Sequence, residues 1–271
     1  MNAKPERVID FHAHVFPDSV APKAISKFVE VYCMQPLSDG TVAETARFMA
    51  EAGIDIFVPM PVATKASQVV DINNWAFSVR SDKVMPFGGM HPEFEDVKGE
   101  LDRLVDMGFR GIKLQPDWQQ FHPDDQRVYP IYERAEGRLA ILFHAGQEVE
   151  EVATVYSTPD RLRRVHEKFP GLTMICAHMG GYRHWKEAEA ELYGSDIYLD
   201  MSYCPEDEVS DDELMRMIRK HRTDRFLFAS DFPFADPRID LERLLRLPLT
   251  QEEVEDIAWR NAARLLGIGN R

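Results

Sequence analysis

Leu139-Ala140-Ile141-Leu142-Phe143 is an unbroken apolar run, closed by His144-Ala145-Gly146. A strand this apolar has no face to give to water, so it reads as a parallel strand covered on both sides. Its end changes character, to a histidine and then a glycine that lets the chain turn. The same punctuation recurs outward. Downstream, Leu172–His178 ends before Met179-Gly180-Gly181, Ile197–Met201 follows, and Arg225–Ser230 runs into Asp231-Phe232-Pro233. Upstream lie Phe109–Leu114, Val84–Met90, Ile54–Met60 and Val8–His14, the last ending in His12-Ala13-His14.

Between these eight runs the apolar residues recur at three- and four-residue steps, as Leu101, Leu104 and Val105 do. That is the pattern of helices with one buried face. The helical stretches are Thr41–Ala52, Ala66–Arg80, Glu95–Met107, Arg127–Glu136, Pro159–Lys168, Tyr182–Tyr193 and Asp211–His221. A closing helix over Gln251–Leu266 follows Thr250, an N-cap with Glu253 three residues on. Strand starts recur roughly every 25 to 33 residues after a longer first gap, one βα unit per interval. Eight such units predict an α/β fold, a single (β/α)8 TIM barrel occupying residues 1–271 as one domain. A doubly wound open sheet is the rival, but no Gly-rich phosphate loop follows the first strand. The long first connection, with Phe16-Pro17-Asp18 and Tyr32–Gly40, is expected to be a loop or short helix covering a site.

A formal net charge of -14 disfavours nucleic acid and anionic membranes as partners. The run Met1–Val8 has no apolar segment of a secretory leader, and no stretch is long enough to span a bilayer. Cys33, Cys176 and Cys204 are few and scattered, which suits free thiols in a reducing compartment. A cytoplasmic protein is the expectation, with a homodimer as the ordinary oligomeric state.

The polar residues sit where the strands end. His12 and His14 alternate with Ala13 and so project to one face of their strand. His144, His178 and Asp231 close three further strands. Barrel enzymes build their sites at that end. Imidazole nitrogen and carboxylate oxygen are the donors that Zn²⁺ and related ions take, and such an ion acidifies a water for attack on a carbonyl. Proton transfer then needs a nearby acid–base group, for which His178 and Asp231 are the candidates. Each residue alone has a plainer reading. A lone histidine is more often a hydrogen-bonded core residue, and Asp231 could cap a turn. Four strand ends with the same property argue for one shared metal site.

The ordered set Asp10-Phe11-His12-Ala13-His14, Gly111-Ile112-Lys113-Leu114, His144-Ala145-Gly146, His178-Met179-Gly180-Gly181, Ser230-Asp231-Phe232-Pro233 and Asn261-Ala262-Ala263-Arg264-Leu265-Leu266 resembles the amidohydrolase superfamily over nearly the whole chain. The similarity is to its amidohydrolase-related branch, which includes aminocarboxymuconate semialdehyde decarboxylase and related decarboxylases, hydratases and lactonases. The resemblance implies that His12, His14, His144 and Asp231 bind a divalent metal, and that His178 binds a second metal or is the acid–base histidine. In binuclear members a carboxylated lysine ends the fourth strand, where this chain has Lys113. Mononuclear relatives also carry a Gly-Ile-Lys-Leu segment, often followed by His where Gln115 stands here. Lys113 is therefore either carboxylated or an ammonium that contacts substrate or structure. One or two ions are open, with Zn²⁺ the expected metal.

Around the predicted mouth, Arg183 could clamp a carboxylate through paired hydrogen bonds or simply be a solvated first-turn residue. Trp118 could wall a pocket or pack in its loop, and His91 follows the third strand as a further substrate-binding candidate. The acidic run Glu148-Val149-Glu150-Glu151 reads as a solvated face. The leading expectation is a metal-dependent hydrolase of a small-molecule ester, lactone or amide. Its rivals are a metal-dependent non-oxidative decarboxylase of an unsaturated or aromatic carboxylate, with the same ligands, and a non-catalytic metal-binding barrel. The intact His178 weighs against the last, since a purely structural site needs no acid–base group.

Overall fold

The computed structural model describes residues 2–32, 34–150 and 152–269. In chain order the elements are β1 (Ile9–Ala13), α1 (Ala21–Tyr32), α2 (Val42–Glu51), β2 (Ile56–Pro59), α3 (Val69–Ser78), β3 (Gly88–Gly89), α4 (Val97–Asp106) and β4 (Gly111–Leu114). They continue with α5 (Pro116–Gln119), α6 (Tyr129–Ala135), β5 (Ala140–Phe143), α7 (Pro159–Lys168), β6 (Met174–Cys176), α8 (Trp185–Glu191), β7 (Tyr198–Asp200), α9 (Asp211–Lys220) and β8 (Phe226–Leu227). The chain closes with α10 (Pro237–Arg246), α11 (Gln251–Glu255), a π-helical turn at Asp256–Arg260, and α12 (Asn261–Leu266). Every strand falls inside the run read for it from sequence. Two helices went unread, the short α5 and α10, although Asp236 caps α10 and Pro237 opens it; α1 lies in the long first connection, where a loop or short helix was expected.

The chain divides into two compact units. One comprises Met1–Pro59, Arg80–Met85 and Asp200–Arg271. In it β1 pairs parallel with β2, and Phe57 forms a bridge to Val84. On the other side of β1, Phe11 N donates to Phe228 O at 2.9 Å and Ala13 bridges Phe232. The apolar side chains of these segments, Phe11, Val58, Phe226, Phe228 and Phe232, are buried. The π turn leaves Ile257 O to accept from Phe228 N at 2.9 Å. Asn261 Nδ2 donates to Thr223 O and Phe226 O, both at 2.8 Å, so the closing helix holds the entrance of β8. The Thr250–Glu253 capping box anticipated from sequence is formed, and Thr41 caps α2 through Glu44 N.

The other unit comprises Met60–Val79 and Pro86–Leu199. Here β3, β4, β5, β6 and β7 pair in sequence order, all parallel, with Lys113 opposite Gly89 and Leu142, and Phe143 opposite Cys176. All four residues of β5 are buried, as its apolar run requires. Each large apolar side chain so buried contributes about 1.5–3 kcal/mol. Gly146 sits at φ +85°, and a Cβ there would collide with the backbone of Gly181 and Tyr182. That close approach lets Gly146 N reach Ser157 O and Gln147 N reach Tyr182 O, fixing the segment that follows His144. Cys176 and Cys204 are buried thiols, and burial pushes Cys204 up to about 12. Cys33 lies outside the described residues. Among the described residues, no helix is long and apolar enough to cross a membrane.

Candidate metal centre

In the first unit, β1 ends in His12 and the turn after β8 carries Asp231. Their backbones are tied directly, Asp231 N donating to His12 O at 2.9 Å and His14 N to Phe232 O at 2.7 Å. Asp10 fastens the two segments a second time. Its carboxylate is fully buried and accepts from His12 N at 3.1 Å, Ser230 N at 3.0 Å and the Ser230 hydroxyl. Burial raises the Asp10 pKa to about 7, against the lowering effect of those hydrogen bonds.

This scaffold brings His12, His14 and Asp231 together, with one donor atom of each within 4.8 Å of the others. Asp231 Oδ1 lies 3.0 Å from His14 Nε2 and 3.4 Å from His12 Nε2. An ion with bonds of about 2.1 Å in tetrahedral coordination sets neighbouring donors about 3.4 Å apart, so the spacing suits a divalent cation. The orientation of His12 supports the same fit. Its Nδ1 lies 2.9 Å from Asp200 Oδ2 and 3.2 Å from Ser202 Oγ, and all three groups are buried. A proton on Nδ1 shared with that carboxylate leaves the Nε2 lone pair for an ion, as outer carboxylates do for metal-bound histidines. Asp200→Ala is expected to weaken Mn²⁺ affinity by about 10–100-fold. Isothermal titration that finds wild-type affinity would remove Asp200 from this role.

Asp231 and His178 both hold positive φ, 74° and 56°. Left-handed backbone in a non-glycine residue is of order 1–3 kcal/mol uphill and clusters at functional sites. Asp tolerates it better than most residues, since its short polar side chain can bond locally.

Around Asp231, Phe234 lies 6.0 Å from the His14 ring by centroids, and Phe28 of α1 lies 4.7 Å from Phe234. The long first connection therefore contains a helix that packs beside His14, as the sequence suggested for a covering element.

In the second unit, His144 at the end of β5 and His178 after β6 are buried and adjacent. His178 Nε2 lies 3.1 Å from His144 Nδ1. The His178 carbonyl accepts from Trp185 Nε1 at 3.2 Å. Lys113 is almost fully buried on β4. His91 is buried too, and its Nδ1 accepts from Glu93 N at 3.1 Å. Burial lowers the pKa of His91, with Arg127 adding to the effect against Glu93, so its neutral form is favoured. Trp118 is half-buried on α5. Arg183 is exposed at φ 58°, in the turn before α8 rather than in its first helical turn, and stacks over Tyr182 at 4.9 Å.

Two readings change here. Glu148 does not belong to a solvated face; it is buried and accepts from Gln115 Nε2 at 2.9 Å. Gln115 thereby acquires a role at the position where relatives often have His. Its own N–H donates to Gln119 Oε1, whose Nε2 donates to Ala63 O and Met90 O. A carboxylate that heads an acidic run looks solvated until its donor, 33 positions earlier in the chain, is known. Asp200 was missed for a related reason. It ends β7 as a strand-end carboxylate, which was the available signal, but its partner His12 is 188 positions away.

The family described as Amidohydrolase matches residues 9–268. Among solved structures, the chain is similar to an uncharacterized Tim-barrel protein from Bordetella bronchiseptica, at 21% identity and TM-score 0.74, covering 98% of this chain and 100% of that one. It is similar to 5-carboxyvanillate decarboxylase from Novosphingobium aromaticivorans, complexed with manganese and 4-hydroxy-3-methoxy-5-nitrobenzoic acid, at 13% identity and TM-score 0.73, covering 96% of each chain. It is also similar to a Pseudomonas putida protein assigned as a 2-pyrone-4,6-dicarboxylic acid hydrolase, at 14% identity and TM-score 0.68, covering 98% and 99%. These likenesses show the fold, a (β/α)8 barrel. No curated relative matches the sequence.

Proposed function

Because this chain belongs to the amidohydrolase family, we propose that it is a metal-dependent hydrolase of a small ester, lactone or amide. The observation that carries the reading is the convergence of His12, His14 and Asp231, with His12 oriented by Asp200. These three residues would hold a divalent cation, with His144 as the further ligand that the resemblance implies. Zn²⁺ was expected from the donor types, and the manganese in a similar structure makes Mn²⁺ an equal candidate. When bound, such an ion supplies Lewis acidity, polarising a carbonyl and acidifying water.

The chain's own residues supply the proton chemistry. Asp231 or His178 takes a proton from the attacking water and returns it to the leaving group, Asp231 being positioned by its N–H bond to His12 O. The His178 imidazole is steadied for that role through its contact with His144. Rigid strand ends keep these groups in fixed positions, so less reorganisation is needed in the transition state. Lys113, buried on β4, is carboxylated in the binuclear version of this reading.

Protein loaded with Zn²⁺ or Mn²⁺ should hydrolyse members of an ester, lactone and amide panel. Full metal occupancy with no turnover across that panel sinks the hydrolase reading. The similarity to a manganese-bound decarboxylase favours one second reading, loss of carbon dioxide from an aromatic or unsaturated carboxylate. There His178 would deliver the proton to carbon. Carbon dioxide release from a carboxylate panel, with the hydrolysis panel silent, selects it.

A further inference from the structure

We infer that Asp117, His144 and Glu148 form a cation-binding group within the second unit, two carboxylates beside the histidine. The inference rests on the reading that the chain binds a divalent cation, and not on which reaction follows. The three residues each place one donor atom within 4.8 Å of the others. His144 Nε2 and Glu148 Oε1 are 3.5 Å apart, close to the spacing of about 3.4 Å that neighbouring tetrahedral ligands take. That is too long for a good hydrogen bond and suited to two donors facing one ion.

Each carboxylate is fixed through one oxygen by an N–H group. Gln115 Nε2 donates to Glu148 Oε1, and Tyr156 N donates to Asp117 Oδ1 at 3.1 Å. The second Asp117 oxygen, Oδ2, is buried and accepts no hydrogen bond. The neighbouring Glu148 is a second carboxylate, with one oxygen within 4.8 Å of one of Asp117. Placing the buried Glu148 carboxylate beside the half-buried Asp117 is unfavourable unless a cation or a proton compensates. The nitrogen of His144 beside them distinguishes the two compensations, because an imidazole and two carboxylates form a mixed N/O donor set suited to Zn²⁺ or Mn²⁺. The sequence pattern alone pointed to neither acid.

The test is Mn²⁺ affinity by isothermal titration of the full chain, comparing the wild type with Glu148→Gln and Asp117→Asn. Both substitutions keep size and hydrogen-bonding shape, and thermal melting checks that each variant is folded. Each should weaken Mn²⁺ binding at least tenfold. Wild-type affinity in both folded variants overturns the inference and leaves the proposed hydrolase intact if His12→Ala still abolishes binding. If a variant does not fold, the Mn²⁺-dependent relaxation enhancement of solvent water in the corresponding Glu148→Asp or Asp117→Glu protein decides instead. A change from the wild-type enhancement supports ligation, and an unchanged value at full Mn²⁺ occupancy overturns it.

Discussion

Asp231→Asn is expected to lose the cation held with His12 and His14 and to lower turnover by about a thousandfold or more. The size follows from the several kcal/mol that a Lewis-acidic ion contributes to the transition state, at one decade per 1.36 kcal/mol. Asparagine is the informative replacement. Asp231 has φ 74°, and an alanine there would add about 1–2 kcal/mol of backbone strain and confuse loss of metal with loss of fold. Asparagine tolerates that backbone and keeps the Asp231 N–H bond to His12 O, but it carries no charge to set against the ion. Metal content by mass spectrometry, kcat and thermal melting should separate the effects: ion and activity lost, melting nearly unchanged. A variant that retains its full complement of metal contradicts the assignment.

His178→Asn is expected to behave differently, keeping the metal while kcat falls by at least about a hundredfold, the range for a removed acid–base group. Asparagine again suits the positive φ of 56° and preserves a polar group facing His144 Nδ1. It cannot carry a proton between water and a leaving group near neutral pH. Near-normal turnover would remove His178 from the chemistry. A lost ion instead of a lost rate would make it a ligand, the other role that the resemblance allows.

The strands were legible because they are buried on both faces. Ala140–Phe143 and Met174–Cys176 carry no polar side chain, and no helix pattern of that length competes with them. The histidines and Asp231 were legible because they interrupt apolar runs at strand ends. What could not be read was anything set by a distant partner. Asp200 and Ser202 look like ordinary strand-end polar residues, and only the approach of their segment to β1 makes them supports of His12, while Asp10, within β1, finds its partner, Ser230, 220 positions on. Glu148 was misread in the same way, since its donor is Gln115, the residue before α5 and 33 positions earlier in the chain. The helix α1 was read only as a loop or short helix, because its amphipathic face, with Ile25 and Phe28, lies in a connection whose prolines and aspartates suggest turns.

His12 and His14 are synthesised well before their partners: Asp200 and Ser202 follow His12 by 188 and 190 positions, and Asp231 follows His14 by 217. Until those partners have been added, a growing chain exposes two histidines with no complete cradle. Any ion captured in that interval would be held weakly and exchange freely. Any selection among cations by this group would thus wait until the late carboxylates have closed on the first strand.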